Sequence, residues 1–113
     1  KHTIEMIRAQ GPTQVHLAIY SPPVLHPCYY GIDISTREEL VAPRFLAAGR
    51  DGSHPKDLLD LEQSFAERLG LDSLTYLPMD GLKQAFGSPA CSACFDGRYP
   101  APLDDLQRNR NRD

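Results

Sequence analysis

The chain has 113 residues, 41% of them hydrophobic and 24% charged, with a formal net charge of −3. That length allows one domain with one modest core. The charge supplies no basic field for nucleic acid, since the Arg residues between Gln107 and Asp113 alternate with Asn and Asp in what reads as a frayed tail. No apolar run is long enough to span a bilayer and no signal-peptide pattern is present, so a soluble, cytoplasmic chain without nucleic-acid or membrane partners is expected. The cysteine count is odd, at 3, which suits a reducing compartment better than a disulfide scaffold. The sequence opens on Lys1-His2-Thr3-Ile4, without Met and already inside a helical pattern, and reads as a piece of a longer protein.

Ile4, Met6, Ile7 and Ala9 predict a short helix stopped by Gly11-Pro12. Val15 to Tyr20 is a predicted strand, rich in β-branched and aromatic residues and followed by prolines. Helix then strand is the second half of a βαβ crossover, so a parallel strand is expected upstream of Lys1. Ligands of open parallel sheets bind at the carboxyl ends of strands, which makes Ser21 a candidate substrate-side residue, although Ser-Pro-Pro also ends a strand for purely structural reasons. The prolines from Pro22 to Pro27 stiffen the loop that presents Cys28.

Ser35 or Thr36 is positioned to cap a helix from Arg37 to about Ala42, with Glu38 and Glu39 in its first turn where the helix dipole favours carboxylates. Pro43 interrupts it, and Pro43 to Lys56 reads as an inserted loop. Leu58, Leu61, Phe65 and Leu69 recur at helical spacing, predicting a helix from about Lys56 to Leu69 ended by Gly70. Leu74 to Leu77 is a short predicted strand, and a helix starts at Pro78 or Asp80 and ends at Gly87. Ser88 to Pro102 reads as irregular.

Cys91 and Cys94 have the spacing at which two thiolates of one turn converge on a metal. A thioredoxin-like pair would need a helix N-terminus after a strand, and here the context is loop-like. A zinc site would need two further ligands, for which Cys28 and His26 are available. An iron-sulfur cubane needs four thiolates in soft surroundings; the chain offers Cys28, Cys91 and Cys94, with Leu25, Tyr29, Tyr30, Ala93 and Phe95 as candidate walls. Zinc and iron-sulfur stay open on spacing alone. His2, His16 and His54 fall outside this group, and no nucleophile triad or Gly-rich phosphate loop is present.

The runs SPPVLHPCYYGIDISTREELVA, LGLDSLTYLPMDGL and ACSACFDGRYP, in this order, closely resemble the C-terminal part of amidophosphoribosyltransferases, in register from about Thr3 to Pro100. The resemblance implies an α/β fold: the C-terminal part of a type I phosphoribosyltransferase domain, a parallel sheet with flanking helices, plus a cysteine-ligated extension. Residues 1–34 would then end the phosphoribosyltransferase core and residues 35–113 form a helical extension with the C-x-x-C turn and a flexible tail. It further implies a parent that makes phosphoribosylamine from phosphoribosyl pyrophosphate and glutamine with Mg²⁺, the opening step of purine synthesis, as a homo-oligomer under feedback by purine nucleotides.

Cys28, Cys91 and Cys94 stand where three ligands of a structural 4Fe-4S cluster stand in the iron-sulfur branch of that family, the fourth lying upstream. The strand missing before Lys1 leads, in that family, into the loop that binds phosphoribosyl pyrophosphate. The cysteine nucleophile of the glutaminase half is absent, so no catalytic residue is assigned and the segment alone is expected to be inactive. A zinc-binding interaction module without enzymatic activity is the competing reading.

Overall fold

The computed structural model describes residues 2–34, 36–46, 48, 50, 52, 54–87 and 90–102. Helix α1 spans His2–Arg8 and gives way to a turn ending at Gly11, whose φ of 78° lies in the left-handed region that glycine tolerates. Strand β1, His16–Ile19, is shorter than the predicted Val15 to Tyr20 and pairs parallel with β2, Ser73–Tyr76. The register runs from His16 opposite Ser73 to Ile19 opposite Tyr76, and His16 Nδ1 lies 2.7 Å from Ser73 Oγ across it. The connection between these parallel strands contains α2, Pro55–Leu69, so the chain builds a βαβ unit of its own.

Helix α2 follows its sequence signals closely. Pro55 occupies the first turn, where its missing N–H is harmless, and His54 Nδ1 caps the helix by accepting from the Lys56 N–H at 3.1 Å. At the other end Gly70 adopts φ 70°, and the Leu71 N–H reaches back to the Ala66 carbonyl at 2.9 Å, closing a Schellman-type cap. Its inner face carries Leu61, 1% exposed, and Ala66 against Leu74 and Tyr76 of β2. Val15, Leu25, Ala42 and Leu71 complete the core, which therefore mixes residues from both sides of position 34.

The helix expected from Arg37 to Ala42 does not form. One turn closes through the Leu40 N–H to the Arg37 carbonyl at 3.1 Å, and the regular element is instead a 3₁₀ turn, Ala42–Phe45. Pro43 has no N–H to donate back to Glu39, so an α-helix through this run lacks a bond it needs, whereas the tighter turn closes through the Arg44 N–H to Val41. The expected cap Ser35 lies outside the described residues, as do Gly49, Asp51 and Ser53 of the loop and the tail from residue 103 onward. Of that loop, Phe45 packs edge-on against Phe65 of α2, ring centroids 4.4 Å apart, and Arg50 Nη1 donates to buried Asp57 at 2.7 Å and to Asp60 at 2.9 Å. Phe45 and Arg50 thus pack on α2.

Past β2, helix α3 runs over Met79–Phe86 and ends at Gly87 in the left-handed region, as predicted. The stretch expected to be irregular contains a fourth helix, α4, Ala93–Asp96. Its single turn is held by Ser92, whose carbonyl accepts from the Phe95 and Asp96 N–H groups and whose hydroxyl donates to Asp96 Oδ2 at 2.8 Å. Four-residue helices have no hydrophobic periodicity to detect, so composition could not announce it. Among the described residues no helix is long and apolar enough to cross a membrane.

Candidate metal-binding cysteine site

Two segments about 70 residues apart in sequence meet through the backbone. The Cys94 carbonyl accepts both the Leu25 N–H at 2.9 Å and the His26 N–H at 3.0 Å, which docks the proline-stiffened loop onto α4. Leu25 and Ala93 are each 2% exposed at this junction. Beyond it the Cys28 N–H donates to the Ile34 carbonyl at 3.0 Å, folding the loop back on itself, and the Tyr30 N–H points to Cys28 Sγ at 3.4 Å.

A second clasp closes the far side. Tyr99 Oη donates to the Pro27 carbonyl at 2.7 Å, and the Ala101 N–H donates to Tyr30 Oη at 3.1 Å. The Tyr99 ring lies 5.0 Å from Tyr29 and 6.4 Å from Tyr30, both tilted. Burial, with Tyr29 and the Cys94 and Cys28 sulfurs nearby, pushes the Tyr99 hydroxyl up to about 12. Burial also pushes the Cys94 thiol up, and Cys28, Cys91 and Asp96 add to the shift, although the Cys94 backbone opposes it. No disulfide joins Cys28, Cys91 and Cys94.

Among the described residues no three His, Cys, Asp or Glu side chains are spaced to hold a metal ion. The donor set nevertheless fits a thiolate-bound metal in kind: soft sulfur ligands, an amide directed at one of them, and walls of Leu25, Ala93 and three tyrosines. His26 is placed differently from the other candidates. Its ring lies against Gly97, so closely that a Cβ added there would stand 3.0 Å from Cε1 and 3.1 Å from Nε2. Gly97 takes φ 71° as the cap of α4, and the absence of a side chain is what lets the ring approach.

Ser21 follows β1 and its carbonyl accepts the Leu77 N–H at 3.2 Å, which explains its place structurally. It also lines a largely apolar cavity of about 640 Å³ with Tyr20, Met79, Lys83, Phe86 and Cys91. Sequence reading missed Tyr99 and Lys83. A tyrosine beside a proline carries no signal of its own, and nothing marks Lys83 until α3 folds beside the end of β1.

No protein-family model matches the chain. Individual proteins do. An amidophosphoribosyltransferase from Synechocystis sp. is 39% identical over 108 residues, which is 93% of this chain and 19% of that protein. One from Bacillus subtilis is 36% identical over 110 residues, and one from Methanocaldococcus jannaschii 33% identical over 105. The solved structure of the B. subtilis glutamine phosphoribosylpyrophosphate amidotransferase, complexed with ADP and GMP, superposes with a TM-score of 0.62 at 36% identity, covering 88% of this chain and 20% of that one. The chain spans about a fifth of the length of these relatives. The parallel βαβ unit matches that neighbour's fold, and nine-tenths of the sequence aligns with proteins of a single name from a cyanobacterium, a bacillus and an archaeon. The chain belongs to the amidophosphoribosyltransferase family.

Proposed function

We propose that this chain is the scaffold segment of an enzyme that makes 5-phosphoribosylamine from phosphoribosyl pyrophosphate and glutamine, the first step of purine synthesis. The observation that carries this is the 33–39% identity to amidophosphoribosyltransferases over nine-tenths of the chain. In the parent, one half hydrolyses glutamine and the released ammonia displaces pyrophosphate at C1 of the sugar, with Mg²⁺ present. The segment contributes no catalytic residue; α1 and β1 back the phosphate-binding loop, and Ser21 lies on the substrate side of the sheet. Residues 1–34 finish the phosphoribosyltransferase core and residues 35–113 form its extension. The parent is cytoplasmic and homo-oligomeric, and because the solved relative is complexed with ADP and GMP, purine nucleotides are the expected feedback ligands.

Cys28, Cys91 and Cys94 are three ligands of a 4Fe-4S cluster whose fourth thiolate lies outside the segment. The cluster supplies a cross-link between distant parts of the chain and takes no part in the reaction. What supports this is three free thiols, with the loop that carries Cys28 docked on Cys94 through the Leu25 and His26 amides. The chain's own residues bind and orient: the Cys94 carbonyl fixes the loop, and Tyr29, Tyr30 and Tyr99 stack beside Cys28.

The test is to assay the full-length protein for phosphoribosylamine formation with glutamine or ammonia, and to measure iron, acid-labile sulfide and zinc per chain. Glutamine-dependent product and a brown protein are expected, with no product from the segment alone. A full-length protein without this activity overturns the enzymatic reading. A colourless, zinc-loaded protein overturns the cluster and leaves the zinc module in its place.

A further inference from the structure

Docking through the Cys94 carbonyl fixes only the start of the proline-rich loop, at Leu25 and His26. Cys28 lies further along, on the part of the loop that carries Tyr29 and Tyr30. One tie from that part to the C-x-x-C segment is Tyr99, three residues after α4. Its hydroxyl reaches the Pro27 carbonyl across 72 residues of sequence, and its ring meets Tyr29 and Tyr30 on the other side of Cys28. Tyr30 returns the connection by accepting the Ala101 N–H. Pro27 cannot donate a backbone hydrogen bond, so its carbonyl is the one main-chain handle that residue offers.

We propose that Tyr99 is a positioning residue for Cys28: the bond to Pro27 and the tyrosine stack hold the Cys28 loop against the segment that follows the Cys91–Cys94 turn. As a proposal about what arranges the ligands, this rests on the reading of the cysteines as a metal site. The clasp itself is built from the chain's own atoms and is testable without metal.

The experiment uses the full-length protein with Tyr99→Phe, which removes the hydroxyl and keeps the ring, and Tyr99→Ala, which removes both. In metal-stripped, reduced protein the alkylation of Cys28 by iodoacetamide is followed by peptide mass spectrometry. Loss of one hydrogen bond should open the loop enough to speed Cys28 alkylation about five-fold in Tyr99→Phe, and further in Tyr99→Ala. In metal-loaded protein a ferrous chelator should bleach the visible absorption faster in both variants. Far-UV circular dichroism of Tyr99→Phe should match the parent, so that an unfolded alanine variant does not decide the matter. Parental alkylation and bleaching rates in Tyr99→Phe would overturn the clasp. If the parent holds no iron or sulfide, the metal reading fails by itself, and the alkylation rates still decide whether Tyr99 positions Cys28.

Discussion

Asp72 shows how one side chain joins three elements. Its Oδ2 accepts the Val15 N–H at 2.7 Å and Arg8 Nη2 at 2.7 Å, while the same Arg8 nitrogen donates to the Gly70 carbonyl at 2.9 Å. The end of α1, the approach to β1 and the cap of α2 therefore meet at one carboxylate. The Val15 amide first, and then Arg8, hold its carboxyl below the usual carboxylate range. A depressed folded-state value means that the unfolded chain takes up its proton first as the pH falls. The stabilisation is thus complete above the ordinary carboxylate pKa, about 4, and is lost as the pH drops through the lower folded value. Urea midpoints for the parent and Asp72→Asn should differ at neutral pH and converge on acidification. A gap independent of pH would mean that Asp72 acts by shape alone.

At the scale of elements, α2 is where local signals and packing agree, and its two kinds of contribution separate cleanly. Leu61 is 1% exposed within the core, so Leu61→Ala should cost about 2–5 kcal/mol by chemical denaturation. Gly70 has nothing within 4 Å of where a Cβ would sit, yet its φ is 70°. Gly70→Ala should therefore cost only the left-handed conformation, about 1–2 kcal/mol. A Gly70→Ala loss equal to that of Leu61→Ala would place a contact at the cap that the structure does not contain. The 3₁₀ turn at Ala42–Phe45 is the converse case, where helix-favouring Arg37 to Leu40 yield to a proline a few residues on.

Among the described residues the core is a two-stranded sheet under one main helix, a narrow basis for stability in this segment. A metal bound by the folded state alone adds its binding free energy to folding. Cys91→Ser or Cys94→Ser in the full-length protein should lower folded yield and make the segment after Gly87 more sensitive to protease, with activity falling in proportion. Variants that keep parental protease resistance and melting temperature while losing turnover would show direct participation in the reaction. The sequence by itself determined α2, both strands and the terminating glycines, because hydrophobic period, caps and left-handed turns are local properties. It also singled out the Cys91–Cys94 pair by its spacing, with Cys28 as an available further thiol. Tertiary structure alone decided that the Leu25 and His26 amides share the Cys94 carbonyl, that His26 packs on Gly97, and that Tyr99 reaches Pro27. Each of these joins residues about 70 positions apart, and such contacts are fixed only when the β1–β2 register and the packing of α2 have set where the loops end.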